Sequence, residues 1–144
     1  MIARRRIHLC SAYLVAWIAT SATVFAQDAH DRGAVYTKCA QACGDCQRQC
    51  DACARHCADM LADGMKEHIT TLRTCQDCAD FCTAAAQIVA RQGAFSNLIC
   101  QSCADACARC GKECDKFIGD KTMADCAKAC RDCEKACRAM VKLG

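Results

Sequence analysis

Nineteen of the 144 residues are cysteine, about 13%, and none is proline. That density marks either a disulfide framework or a metal protein. Eighteen of the thiols form four groups: Cys39, Cys43, Cys46, Cys50, Cys53 and Cys57; Cys75, Cys78 and Cys82; Cys100, Cys103, Cys107, Cys110 and Cys114; and Cys126, Cys130, Cys133 and Cys137. Within a group every step is three or four residues, eight C-x-x-x-C and six C-x-x-C in strict alternation. Thiols in such numbers cross-link, cycle as redox or iron–sulfur ligands, or hold soft metal ions.

The alternating step recurs every 3.5 residues, which is the inward-facing seam of a helix. Four groups therefore predict four helices, over about 34–62, 66–91, 96–117 and 122–142, with Gly33, Gly64, Gly93, Gly119 and Gly144 as punctuation. Ser96 and Thr122 are the expected N-caps, the latter with Asp125 three residues on. Short connections join antiparallel neighbours, so the expected fold is all-α: an up-down-up-down antiparallel four-helix bundle with a Cys-lined core. Asp45, Arg48, Asp51, Arg55, Lys128, Arg131, Asp132 and Lys135 read as its solvated faces. Gly44 and Gly111 fall inside helices, where close backbone contact would explain them.

Geometry weighs the three chemistries. Neighbouring cysteines on one helix face point the same way, so disulfides would have to run between helices, each with its own Cβ spacing and torsion. A few such bridges fit; nine in one narrow core do not. A redox C-x-x-C belongs beside a strand, and iron–sulfur runs sit in irregular loops, often with a Cys-Pro; neither context is present. Soft-metal binding remains. Zinc asks for four tetrahedral ligands and leaves two negative charges per four-thiolate site, whereas one Cu(I) per thiolate cancels the buried charge and accepts two or three ligands. The reading is non-enzymatic Cu(I) binding at high capacity, near one ion per mature Cys. Zinc or broad soft-metal sequestration, and a disulfide-rich structural module, remain the alternatives.

Residues 1–26 look like a cleaved export signal: Arg4-Arg5-Arg6, an apolar run over about 9–22, and Val24-Phe25-Ala26. The run is too short for a membrane anchor, and Arg4-Arg5-Arg6-Ile7 also resembles a twin-arginine motif. Cys10 falls in this leader and is set aside. The mature stretch, 27–144, then holds 118 residues, 18 Cys and only 14 Leu, Ile, Val and Phe, about 12%, too few for an ordinary core. Its 16 basic and 16 acidic residues cancel, which argues against nucleic acid or an anionic membrane as partner. An exported, periplasmic or other extracytoplasmic location follows from the leader.

The two ends of the bundle differ. Carried past the cysteines, the seam meets Met60, Met65, His68 and Met123 at one end, with His56 at its edge and Phe117 narrowing the mouth. Thioether and imidazole are moderate Cu(I) ligands, suited to passing an ion inward. The other end gathers Val35, Tyr36, Ile88, Val89, Phe95, Leu98, Ile99, Met140, Val141 and Leu143 as a hydrophobic plug.

These repeats on four helices, with Met and His at one mouth, resemble the bacterial copper storage proteins over Cys39–Cys137. The resemblance implies a bundle storing many Cu(I) ions, loaded at the Met and His end, commonly a homotetramer, and exchanging copper with donor or acceptor proteins. Exported members of that family are linked with methane-oxidising bacteria.

Overall fold

The computed structural model describes the backbone of residues 10–143 and the side chains of residues 31–143. Its helices are α1 (Cys10–Ala62), α2 (Ile69–Ala90), α3 (Ser96–Cys114) and α4 (Lys121–Val141), with a 3-10 turn at Lys66–His68 before α2. There is no strand among the described residues. The chain divides into two units, Met1–Ala34 and Val35–Gly144, and the second is the bundle. Alanine-rich, proline-free sequence favours helix throughout. Spaced charge pairs on the outer faces, such as Lys128–Asp132 and Arg138–Glu134, add a few tenths of a kcal/mol each.

Thiol contacts give the topology. Cys39, Cys46, Cys50 and Cys53 meet Cys100, Cys107, Cys110 and Cys114 in that order, so α1 and α3 run parallel. Against α4 the order reverses: Cys39 meets Cys137, Cys46 meets Cys130 and Cys53 meets Met123. Likewise α2 opposes α3, with Cys75 on Cys114 and Cys82 on Cys103. This is the expected up-down-up-down bundle.

The ends of the helices depart from expectation. Helix α1 does not start after Gly33 but runs through it, because a single glycine costs a helix only about 1 kcal/mol. At its C-terminus, Gly64 takes φ +91 and Met65 N–H donates to Met60 O at 3.0 Å, a Schellman closure that glycine permits. Helix α3 ends at Cys114, three residues early. Ser96 is no cap: it is the first residue of α3, buried, and its hydroxyl donates to Gly93 O at 2.6 Å. Thr122 is none either. Asp120 caps α4, its carboxylate accepting the Met123 N–H at 3.1 Å.

At the blind end Val89 and Met140 are buried, and Val35, Tyr36, Ile99, Val141 and Leu143 are half-buried against the core. Phe95 and Leu98 do not join the plug; they are 67% and 68% exposed, since Phe95 precedes α3 and Leu98 lies off its seam. Of the two internal glycines, only Gly111 serves close approach: a Cβ there would stand 3.4 Å from Cys130 Cβ and 3.6 Å from Ala127 O. A Cβ on Gly44 would meet only the flexible Arg48 side chain. Gly44→Ala should therefore stabilise the metal-free protein by about 1 kcal/mol, and Gly111→Ala by clearly less, as read by urea unfolding.

Candidate metal centre

All eighteen seam cysteines are free and no more than 1% exposed. Their sulfurs touch across the core at 3.6–4.0 Å, thiol contacts rather than the roughly 2 Å of a disulfide. Contacts cross both diagonals of the bundle, Cys39 to Cys100 at 3.7 Å and Cys82 to Cys133 at 4.0 Å, which shows how narrow it is. Several groups of ligand atoms lie within 4.8 Å of one another, five cysteine quartets among them. These quartets are Cys43/Cys103/Cys133/Cys137, Cys46/Cys78/Cys82/Cys107, Cys46/Cys50/Cys78/Cys130, Cys50/Cys110/Cys126/Cys130 and Cys53/Cys75/Cys114/Cys126. Cys46, Cys50, Cys78, Cys126 and Cys130 each serve two of them. Cys82 reaches Cys103 at 3.7 Å and so joins the first quartet to the second, and Cys39 joins its end through Cys137 at 3.8 Å. The result is one continuous column of sulfur.

Burial works against the charged form of every seam thiol, while sulfur contacts push some up and pull others, such as Cys78 and Cys133, down. At Cys57, nearest the mouth, desolvation pushes the thiol up to about 11. Deeper in, Cys107 is raised by its contact with Cys103 and by further thiol neighbours, with burial adding to them. A thiol in this state is a small hydrophobe, so the metal-free core packs as a core.

The mouth brings together most, not all, of the Met and His residues expected there. Met123 is fully buried, its sulfur accepting a contact from Cys53 Sγ at 3.4 Å. His68 is 4% exposed and stacks on Phe117, ring centroids 4.1 Å apart, while its Nδ1 is buried with no hydrogen-bond partner. His56 sits edge-on to His68 at 6.4 Å. Met60 is half-buried. Met65 turns outward, 36% exposed, because the 3-10 turn at Lys66–His68 interrupts the helical register that would have aligned it with Cys75. Sequence reasoning missed Asp120, whose Oδ2 lies 2.7 Å from His56 Nε2. Its spacing of three from Met123 was an available N-cap signal. Burial raises the Asp120 carboxyl, but the Met123 N–H and His56 outweigh it and hold the group below its usual range. Thr71, buried one turn before Cys75, was also unforeseen.

A helical bundle whose core is a contiguous set of thiols is a soft-metal-binding protein in class. The chain belongs to the copper storage protein family, whose model matches residues 31–142. Among solved structures it is similar to a cytosolic copper storage protein from Streptomyces lividans, described with five coppers. Identity is 34% and TM-score 0.70, covering 78% of this chain and 97% of that one. It is also similar to metal-free copper storage protein 3 from Bacillus subtilis (35%, TM-score 0.64, 72% and 96%). A protein of Nitrosospira multiformis matches at 30% identity, TM-score 0.67, 76% and 97%. No curated protein matches the chain.

Because the thiolate is the nucleophile, the eighteen buried thiols of the reduced, metal-free protein should react with a disulfide reagent at least about tenfold more slowly before denaturation than after. Equal rates would contradict a sealed core.

Proposed function

We propose that the chain is a high-capacity Cu(I) store whose eighteen seam cysteines hold the ions and whose Met and His end admits them. The column of shared sulfurs carries this reading. Each buried thiol that exchanges its proton for one Cu(I) leaves the core's charge unchanged, so filling can continue along the whole column. Zinc is the weaker alternative: eighteen thiols supply at most four separate quartets, each left with two negative charges in a buried core. The S. lividans relative is described with five and with ten coppers, which supports loading to many ions. The role is binding, not catalysis.

At the mouth, Met60, His56, His68 and Met123 are the ligands of passage, and Met65, being exposed, is an outer contact. Residues 1–26 act as a cleaved export leader in this proposal, placing residues 27–144 outside the cytoplasm. The basic, apolar and small-residue pattern supports it. Among the described residues no helix is long and apolar enough to cross a membrane. Assembly as a homotetramer, and exchange with donor and acceptor proteins, rest on family likeness.

Anaerobic titration of the reduced protein with Cu(I) against a competing chelator should saturate near the number of seam cysteines; saturation at one to four ions would overturn storage. In the same assay, replacing Met60, His68 and Met123 should slow uptake more than it lowers capacity, and an unchanged rate would remove the mouth assignment. N-terminal sequencing and light scattering of protein from its native host should give Gln27 and a tetramer. An intact Met1 or a monomer would contradict the leader or the assembly respectively.

A further inference from the structure

The Cys column accounts for storage, but one interaction at its mouth lies outside the thiol set. Asp120 has two acceptor oxygens and both are engaged. Oδ1 takes the Met123 N–H at 3.1 Å, which starts α4, and Oδ2 lies 2.7 Å from His56 Nε2. A carboxylate only accepts, so the shared proton belongs to His56 Nε2. A neutral imidazole carries one N–H, and placing it on Nε2 leaves the lone pair on Nδ1. The second imidazole of the mouth, His68, holds its own Nδ1 buried and without a partner, its ring fixed by stacking on Phe117. The two ring centroids are 6.4 Å apart, a spacing that accommodates one ion about 2 Å from a nitrogen of each ring.

We propose that Asp120 is a positioning residue for copper uptake: by accepting the Nε2–H of His56 it fixes the tautomer that offers Nδ1, so that His56 and His68 form a two-imidazole landing site outside the thiol column. This rests on the reading of the Met and His end as the mouth. It assigns a function to a residue that is no ligand itself and that caps α4, while His56 lies in α1 and His68 in the 3-10 turn before α2. Two-coordinate binding by neutral nitrogens suits a monovalent soft ion, and it is weaker than thiolate binding, so an ion captured there passes downhill to Cys57 and Cys53. The same carboxylate ties the end of α1 to the start of α4, so the ring that receives the ion is held by the residue that sets the position of Met123.

The discriminating variant is Asp120→Asn. Asparagine is as good an N-cap as aspartate, so α4 keeps its start. With its oxygen on the Met123 N–H, however, its amide must donate toward His56 Nε2, which then has to accept; the ring proton moves to Nδ1 and the landing lone pair is lost. The 15N spectrum of the reduced, metal-free protein, at a pH where the rings are neutral, should show His56 as the Nε2–H tautomer in the wild type and as Nδ1–H in Asp120→Asn. Stopped-flow uptake of Cu(I) from a chelate should slow on the order of tenfold in Asp120→Asn, with the melting temperature and final capacity unchanged. Combined with His56→Ala, the Asn variant should add no further slowing, since both changes remove the same ligand. A wild-type His56 in the Nδ1–H form overturns the proposal, as does wild-type uptake by Asp120→Asn once the tautomer has moved. If His56→Ala and His68→Ala slow uptake while Asp120→Asn does not, the positioning role fails and the mouth stands. Wild-type rates in both histidine variants mean that the mouth reading fails with it.

Discussion

Everything in this bundle depends on thiols touching thiols at 3.6–4.0 Å in a space closed to water. That contact has two meanings. With protons in place it is packing: a neutral Cys behaves as a small apolar side chain, and burial reinforces neutrality, as the raised Cys57 shows. With protons replaced by a soft monovalent ion it becomes coordination, with no new charge to bury. A core of leucine would hold the fold together but bind nothing; a core of carboxylates would bind but not pack. Cysteine is the side chain that satisfies both conditions, which is why this chain can do without most of the large aliphatic residues a domain of its length normally contains.

The narrowness of the tube follows. Cysteine is small, so four helices can place sulfurs in mutual contact only if their backbones come close. The alanines beside the seam, Ala54, Ala79, Ala104 and Ala127 among them, are buried and permit that approach. Gly111 carries it furthest, against Cys130 and Ala127. The outward charges contribute little by comparison: pairs such as Arg131–Asp115 join α3 to α4 on an exposed face, where an ion pair is worth a fraction of a kcal/mol. Specificity of register comes from inside. A one-residue shift of any helix would turn its sulfurs out of the column.

This explains which parts of the molecule were legible in the sequence. The three-and-four spacing states which way each cysteine faces, and facing determines the bundle, its burial pattern and the membership of the column. It says nothing about where a helix stops. Glycine at 33 was too weak a signal to end α1, Ser96 and Thr122 lay one or two residues inside the helices they were expected to cap, and the 3-10 turn rotated Met65 out of line while leaving His68 in. The Asp120–His56 contact was invisible for a related reason: it joins residues 64 apart, one in a loop and one on the flank of α1, where no repeat constrains either.

The uneven distribution of cysteines gives the column a direction. Helix α1 contributes six along its whole buried length, but α2 stops at Cys82 and continues its inward face with Ala85 and Val89, both fully buried. Toward the blind end the sulfurs therefore come from three helices, Cys39, Cys100 and Cys137, and beyond them Val89 and Met140 shut the tube. Toward the mouth the thiolate ligands give way instead to Met123, His68 and His56, groups that bind a soft ion less tightly than thiolate and so let it move on. If ions enter at this end, as proposed above, they meet ligands of increasing strength inward and an apolar wall at the far side. In the proposed loading, filling from one end is then a property of the side-chain order along the helices and needs no moving part.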